Sequence, residues 1–416
     1  MNILTTLKRR KRRFYKSLLI GVVVSLLLTI ASYMGYLDVI EAKALDFLML
    51  LRGQQRSAEI VLVQIDDDAF EKLGERQPLP RSYIASLIEL AGRGGAKAIG
   101  VDVEFKVASD PAEDSRLLAT VESVADGGNS KVVPVFFVRP LSEDDKGTVF
   151  RRTPFFDARL SGIAGFANAP VDSDGIIRQV PLALRGGDGK IFPSLALAVA
   201  ARYAGYDLAR FDAALTDRRE IKLSLPEWSR LDGKARAHNT MLAIKADETW
   251  RINFAGGQGS FAMLPSGPLA QLAAAKVPLA ADNPFRGKIV LIGASFQESR
   301  DFYPTPHGLL SGLEIHANVI RTILTRSRIE PARQFLALAI LLLFTLVSSL
   351  LITLFSPTVV TVLSLVAIPL ILVPLSYLAF AYLGLWVDFV TPLMAIRWGA
   401  LWAEYLEGRH VRKSLG

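Results

Sequence analysis

Cysteine is missing from all 416 residues, and histidine appears only at His238, His307, His316 and His410. Without cysteine there is no disulfide, no thiol nucleophile and no thiolate metal site, a composition compatible with a bacterial periplasm. The histidines are too scattered for a zinc site, and the HExxH spacing that sets two of them on one helix face is absent. Glu314 and His316 are two apart, so on a helix they point to different sides, and His316 is expected to pack or cap. No serine has the spacing of a nucleophile elbow. "AGGQGS" at Ala255–Ser260 lacks the lysine and length of a phosphate loop and reads as a turn. No metal, cofactor or catalytic role is therefore expected, and the chain is read as a non-enzyme.

Apolar residues are abundant instead. They make up 51% of the chain, and the mean hydropathy of +0.32 is too high for an ordinary soluble protein. Four runs have the roughly 20 apolar residues that cross a bilayer. They cover residues 17–37, Phe335–Leu354, Thr358–Leu383 and Leu385–Tyr405, with Pro357 and Gly384 between the last three. A cleaved signal peptide is the alternative for the first, but its run exceeds the usual apolar core of a signal. The expected organisation is a basic stretch 1–16, a span 17–37, an outer domain 38–333, three spans within 334–405, and a tail 406–416.

Charge orients these spans. "KRRKRR" at Lys8–Arg13 precedes the first, and Arg409, Arg412 and Lys413 follow the last, so both termini are expected in the cytoplasm. Arg321, Arg326, Arg328 and Arg333 argue the other way, but they end a long domain, where the rule is weak. The excess of 48 basic over 40 acidic residues lies largely in juxtamembrane clusters that meet anionic lipid, and nucleic-acid binding is rejected. Arg397 is costly inside the last span unless it faces other helices or snorkels. Gly399, Ala400 and Ala403 would permit close helix contact there. A transporter is disfavoured, because paired broken helices are lacking.

The outer domain reads as α/β, a largely parallel sheet built from βαβ units. "EIVLVQIDDDAF" holds a buried strand at Ile60–Ile65. Ile84, Leu87, Ile88 and Ala91 then form one helix face, and "KAIGVDVEF" is a second strand, completing a parallel unit. "KVVPVFFV", "TWRINFAG" and "GKIVLIGAS" are further strands. "FPSLALAVAARYAG" is a helix starting at Pro193 and stopping at Gly205, and "GLEIHANVIRTIL" is a helix leading toward the membrane. "DSDG" at Asp172–Gly175 is turn chemistry and suggests a hairpin. The polar stretch Tyr206–Lys245 yields little.

Parallel strands place ligands beyond their carboxyl ends. Asp66 and Asp102 end the first two strands, and adjacent strands would set them at one rim, able to hold a cation, an amine or a sugar hydroxyl. Arg81, at the start of the crossover helix, would pair with one of them as a latch or with a ligand. The alternative is that such acids cap helices or solvate loops.

Longer motifs carry a resemblance. Asp46, Arg52, "VQIDDDAFEKLG", "PLPR", "GGAKAIGVDVEF", "GFANAPVDSDGIIRQVPL" and "RGKIVLIGASFQESRDFYPTPHGLLSGLEIHANVIRTIL" together resemble the second family of CHASE domains. These are extracellular sensory domains of cyclases and histidine kinases. "QPLPR" departs from the pattern, since the family often has tryptophan in place of Gln77 or Leu79. The resemblance implies structural or signalling roles for Asp301, Gly312, Glu314, His316 and Asn318. It implies one span, a sensory domain, three spans and an output domain, so "LEGRHVRKSLG" is similar to the linker into a class III nucleotide cyclase. The implied function is a receptor input module in a bacterial inner membrane, working as a homodimer on an unknown small-molecule or envelope signal. A histidine or serine/threonine kinase output, or a membrane-anchored periplasmic binding protein or enzyme, are the alternatives.

Overall fold

The structure is a computed structural model, which describes residues 3–107, 109–126, 132–144, 147–151, 163–186, 189–206, 220–224, 241–332, 334–355 and 357–413. His238, Arg333 and Gly416 lie outside the described residues, as does most of the stretch 206–245. The chain divides into two compact units, Gly53–Arg328 on one hand and Met1–Arg52 with Ile329–Gly416 on the other.

The second of these units opens with α1 (Ile3–Tyr33) and α2 (Asp38–Arg52). The first apolar run, expected to stay helical over 17–37, stops at Tyr33, where Gly35 takes φ +80° in the turn before α2. The helix α2 lies in the sequence-defined outer domain but groups with the apolar helices. The reason is its composition: Leu45, Leu48 and Met49 are fully buried and share one face.

The outer unit runs through β1 (Ser57–Ile65), α3 (Asp67–Lys72), α4 (Arg81–Arg93), β2 (Ala98–Asp102), α5 (Pro111–Asp126) and β3 (Val135–Val138). It continues with β4 (Leu141–Asp144), β5 (Gly147–Phe150), β6 (Ala164–Gly165), β7 (Gln179–Pro181), β8 (Ala183–Arg185), β9 (Ile191–Pro193) and α6 (Leu195–Tyr203). Next come β10 (Glu220–Ser224), β11 (Met241–Lys245), β12 (Thr249–Arg251), β13 (Phe261–Pro265) and α7 (Ser266–Ala274). Then β14 (Ile289–Ala294) precedes the hairpin β15 (Phe302–Thr305) and β16 (Gly308–Ser311), and α8 (Gly312–Leu324) closes the unit.

Six strands form one parallel sheet in the order β13-β1-β14-β2-β3-β6. Side chains alternate across it. Val61, Val63, Ile99, Val101, Phe137, Val290 and Ile292 share a core with Ile84, Leu87, Ile88 and Ala91 of α4, the face anticipated from spacing. On the opposite face a Cβ at Gly100 would meet Val199 and Leu195 of α6, and one at Gly293 would meet Leu313 of α8. The domain is thus a three-layer α/β/α sandwich.

Several expectations are corrected. The strands β1 and β2 are not neighbours, because β14 lies between them. β14 is buried along almost its whole length, and the most continuously apolar strand takes the centre of a sheet covered on both faces. The turn at Asp172–Gly175 does not close a hairpin; β7 pairs antiparallel with β12. The segment "TWRINFAG" is strand only over Thr249–Arg251. Beyond that, the backbone amides of Asn253 and Ala255 donate to the side chains of Thr322 and Asn318 on α8, not to a strand. The helix after Pro193 is capped by Ser194, whose hydroxyl accepts from the amide of Leu197.

The chain then enters α9 (Gln334–Leu354), α10 (Pro357–Val362), α11 (Ile368–Leu378) and α12 (Val390–Lys413), with π-helical turns at Leu363–Ala367 and Ala379–Leu383. Among the described residues three helical segments are long and apolar enough to cross a membrane: Arg10–Tyr33, Phe335–Leu354 and Leu365–Leu383. The fourth expected run does not begin as a helix at Leu385. Leu385–Trp386 pairs with Glu330–Pro331 as a short parallel bridge, and Asp388 then caps α12 by accepting from the amides of Val390 and Thr391. The side-chain packing around Gly399, Ala400 and Ala403 lies outside the described residues.

Candidate functional site

The carboxyl ends of β1, β14, β2 and β3 lie at one edge of the sheet, since all run parallel. That edge is where open α/β sheets hold ligands. Asp66, Arg81 and Asp102 all belong to it, but they do not form one group.

Asp66 is the N-cap of α3, its carboxylate accepting from the amide of Ala69 at 3.0 Å. It serves the helix terminus. Arg81 begins α4 and is 1% exposed. Its guanidinium pairs with Asp114 of α5, donates to the Val107 carbonyl at 2.6 Å, and stacks 4.4 Å from the centre of the Phe105 ring. Its backbone amide donates to Glu113 at 2.8 Å. Burial lowers the arginine pKa, and Asp114 and Glu113 pull it back up. The latch expected between Arg81 and Asp66 or Asp102 therefore exists with a different acid. The helix α5, not recognised from the sequence, brings Asp114 and Glu113 to it.

Asp102 faces a different environment. It continues the alternation of Ala98 and Gly100, so it leaves the sheet on the side covered by α6 and α8. His316, one turn into α8, places its Nε2 3.7 Å from the Asp102 carboxylate. The two side chains are 10% and 11% exposed. Asp301, just before β15, completes the group: its carboxylate interacts electrostatically with both and with Tyr303. These residues line a cavity of about 600 Å³ that also reaches Glu104, Lys106, Asn168 and Arg300. Phe105, Phe166 and Phe296 wall it, within the size range of small-molecule sites.

Burial governs the ionisation here. It pushes the Asp102 carboxyl up to about 7, with Glu104 adding to the effect. Asp301 rises to about 6, chiefly by burial and then by the neighbouring Asp102. Burial lowers His316 to about 4 against the pull of Asp301, and it raises Tyr303 to about 12. At neutral pH the imidazole is uncharged, and burial holds both carboxyls above the usual carboxylate range.

The rest of the motif around Asp301 is a support for this floor. Ser311 caps α8 by accepting from the amide of Glu314, and Glu314 reaches back to the amide and hydroxyl of Ser311 at 3.0 Å each, a capping box. Gly312 donates its amide to the Asp301 carbonyl at 3.0 Å. A Cβ on Gly312 would collide with the Asp301 carboxylate, so glycine is required there. Asn318 accepts from the amide of Ala255 at 2.7 Å and donates to the Glu314 carbonyl at 2.8 Å, tying α8 to the segment after β12. Arg397 is half-buried on α12, in the other unit.

Sequence reasoning missed the association of Asp102 with Asp301 and His316, and the roles of Glu104 and Tyr303. One signal was available: Asp102 and Glu104 are two apart, on one side of an extended segment. Nothing local joins residue 102 to residues 301 and 316. A carboxylate pair beside a neutral histidine, at a cavity on the carboxyl edge of an α/β sheet, is the candidate site of this domain. The chain belongs to the CHASE2 domain family, whose match covers residues 20–354 and whose members are extracellular sensory domains. Comparisons with curated proteins and with solved structures find no match.

Proposed function

We propose that this chain is the input module of a membrane receptor, in which a signal molecule occupies the cavity floored by Asp102, Asp301 and His316. The observation that supports it most is that the cavity reaches the first turns of α8. That helix is followed in the chain, after a short segment, by the apolar α9. A ligand that engages Asp301 or His316 acts on Gly312, the capping box and the start of α8, which is the last helix before the C-terminal spans.

In this reading α12 serves as a fourth span, both termini are cytoplasmic, and the outer domain is periplasmic in a bacterial inner membrane. The output is a class III nucleotide cyclase, with a kinase as the other output class. Signal input, not chemistry, is the task of this chain. Two copies work together through the helix bearing Gly399, Ala400 and Ala403, because class III cyclases build their active site between two chains. Crosslinking in native membranes that shows only monomer counts against the dimer.

The test is a fusion of a cyclase catalytic domain after Gly416. Its activity is expected to change when residues 38–333 are deleted and when Asp301→Asn or Gly312→Val is introduced. Activity indifferent to all three refutes an input role. A second reading, a membrane-anchored periplasmic binding protein or enzyme, draws on the raised pKa values of Asp102 and Asp301, which also suit acid–base chemistry. It requires turnover or tight binding by the unfused chain with no effect on a fused output.

A further inference from the structure

The structure points to a ligand class for this cavity: we propose that it takes a small organic ammonium ion, with the charged head at Asp102, Asp301 and His316 and an apolar body along Phe105, Phe166 and Phe296. The proposal rests on the cavity being the signal site of the receptor described above.

The first support is the contrast with other buried charges in the domain. Arg81 is answered by Asp114, and Arg178, also 1% exposed, is held by Asp172 at 2.9 Å and Asp174 at 2.7 Å. His316, 8% exposed as a residue, makes no hydrogen bond among the described residues, and its 3.7 Å approach to Asp102 lies beyond hydrogen-bond reach. Both side chains line the cavity. A buried polar group without a partner is costly, and these two open into a space large enough to supply one.

The second support is the sign of the charge. The acids lining the cavity are Asp102, Glu104, Glu298 and Asp301. Lys106 is ion-paired with Glu104, and Glu298 and Arg300 are both exposed, so the unbalanced charge of the floor is that of Asp102 and Asp301. His316 is neutral because it is buried, and Tyr303 keeps its proton. The floor is therefore acceptor-rich and negative once Asp102 and Asp301 ionise, and a carboxylate or phosphate is repelled from it. A primary ammonium carries three donors, and the floor offers three acceptor groups for them: two carboxylates and a nitrogen lone pair of a neutral imidazole.

The third support is the wall. Phe105, Phe166 and Phe296 line the cavity together with Leu79, Ile315 and Val319, so the space beyond the acids is bounded by apolar side chains, which suits the hydrocarbon body of an organic cation. A bare metal ion fits less well. Among the described residues no group of three or more histidine, aspartate or glutamate side chains is placed to hold one.

Binding of a cation draws the Asp102 and Asp301 protons off, so affinity rises with pH from about 6 to 8. The test uses the full chain in lipid nanodiscs, titrated calorimetrically with phenethylamine and hexylamine, and with 2-phenylethanol and phenylacetate as neutral and anionic counterparts. At pH 8 at least one amine is expected to bind tenfold or more tightly than 2-phenylethanol, phenylacetate is expected not to bind, and amine affinity is expected to fall about tenfold by pH 6. Asp102→Asn and Asp301→Asn should each weaken the amine at least tenfold, and the exposed Asp68→Asn should leave it unchanged. Binding by neither amine, equal affinity for the alcohol, preference for phenylacetate, or a flat pH profile each overturns the proposal. The ligand series and the pH profile need no variant, so misfolding of a mutant cannot obscure the result. The fused-cyclase assay uses no amine, so the receptor reading and the ligand class fail separately.

Discussion

Two buried ionic groups lie at the same carboxyl edge of one sheet, and they have opposite designs. Around Arg81 the charge is closed off: Asp114, Glu113, the Val107 carbonyl and the Phe105 ring surround the residue. Around Asp102 the charge is left open: a neutral histidine lies 3.7 Å away, Glu104 and Asp301 are like-charged neighbours, and the carboxylate lines a cavity. The first arrangement strengthens the crossover between α4 and α5. The second lowers stability when ionised, and such groups persist where a ligand or a proton is to be handled. The difference teaches that satisfaction, more than burial or sheet position, separates a structural acid from a candidate functional one.

The largest expected effect breaks the closed group. Asp114→Asn leaves a fully buried guanidinium short of its counter-charge and should cost about 3 kcal/mol, the lower end for halving a buried pair. Thermal or denaturant unfolding of the full chain checks it, and a loss under about 1 kcal/mol would mean that Asp114 is only a surface partner. Next comes Gly312→Ala, expected to cost about 2 kcal/mol because the new methyl meets the Asp301 carboxylate. Its signature is a changed response in the fused receptor even where the protein still folds. Ser311→Ala removes the cap of α8 and should cost about 1 kcal/mol, read from the same unfolding curves.

The effect at the open group is of another kind, because its sign depends on pH. A raised pKa means that the folded state holds a proton the unfolded chain has released, so the Asp102 contribution is present below about 4 and is lost as pH rises to about 7. Asp301 behaves alike up to about 6, whereas the lowered pKa of His316 makes its contribution grow between about 4 and 6.5. Asp102→Asn should therefore match the parent near pH 4 and become the more stable protein by pH 8. Melting temperatures across that range decide the matter. A variant destabilised at pH 8 would show that Asp102 is a latch after all, and the contrast with Arg81 would collapse.

Particular residues show how far the sequence could be read. Ile84, Leu87, Ile88 and Ala91 repeat at helical spacing and do form the buried face of α4. The run IVLIGA of β14 was legible as a strand because it is short, continuously apolar and β-branched, and five of its six residues are indeed buried. Asp66 was legible as an acid at a strand end, but its use as the α3 cap depended on the turn geometry that follows. The short pairing of β7 with β12, about 70 residues apart, carried no local signal. The partner of Arg81 was missed because α5 is weakly patterned, with only Leu117 and Val121 buried on it.

What the sequence determined by itself was local or compositional. Apolar runs of bilayer length, the strand and helix periods, the capping signals and the motifs of the family follow from side-chain chemistry along neighbouring residues. Strand order, the insertion of β14 between β1 and β2, and the meeting of Asp102 with Asp301 and His316 were decided only in three dimensions. Those pairings join segments some 200 residues apart, and their energies come from desolvation and charge proximity, which exist only once the layers have packed.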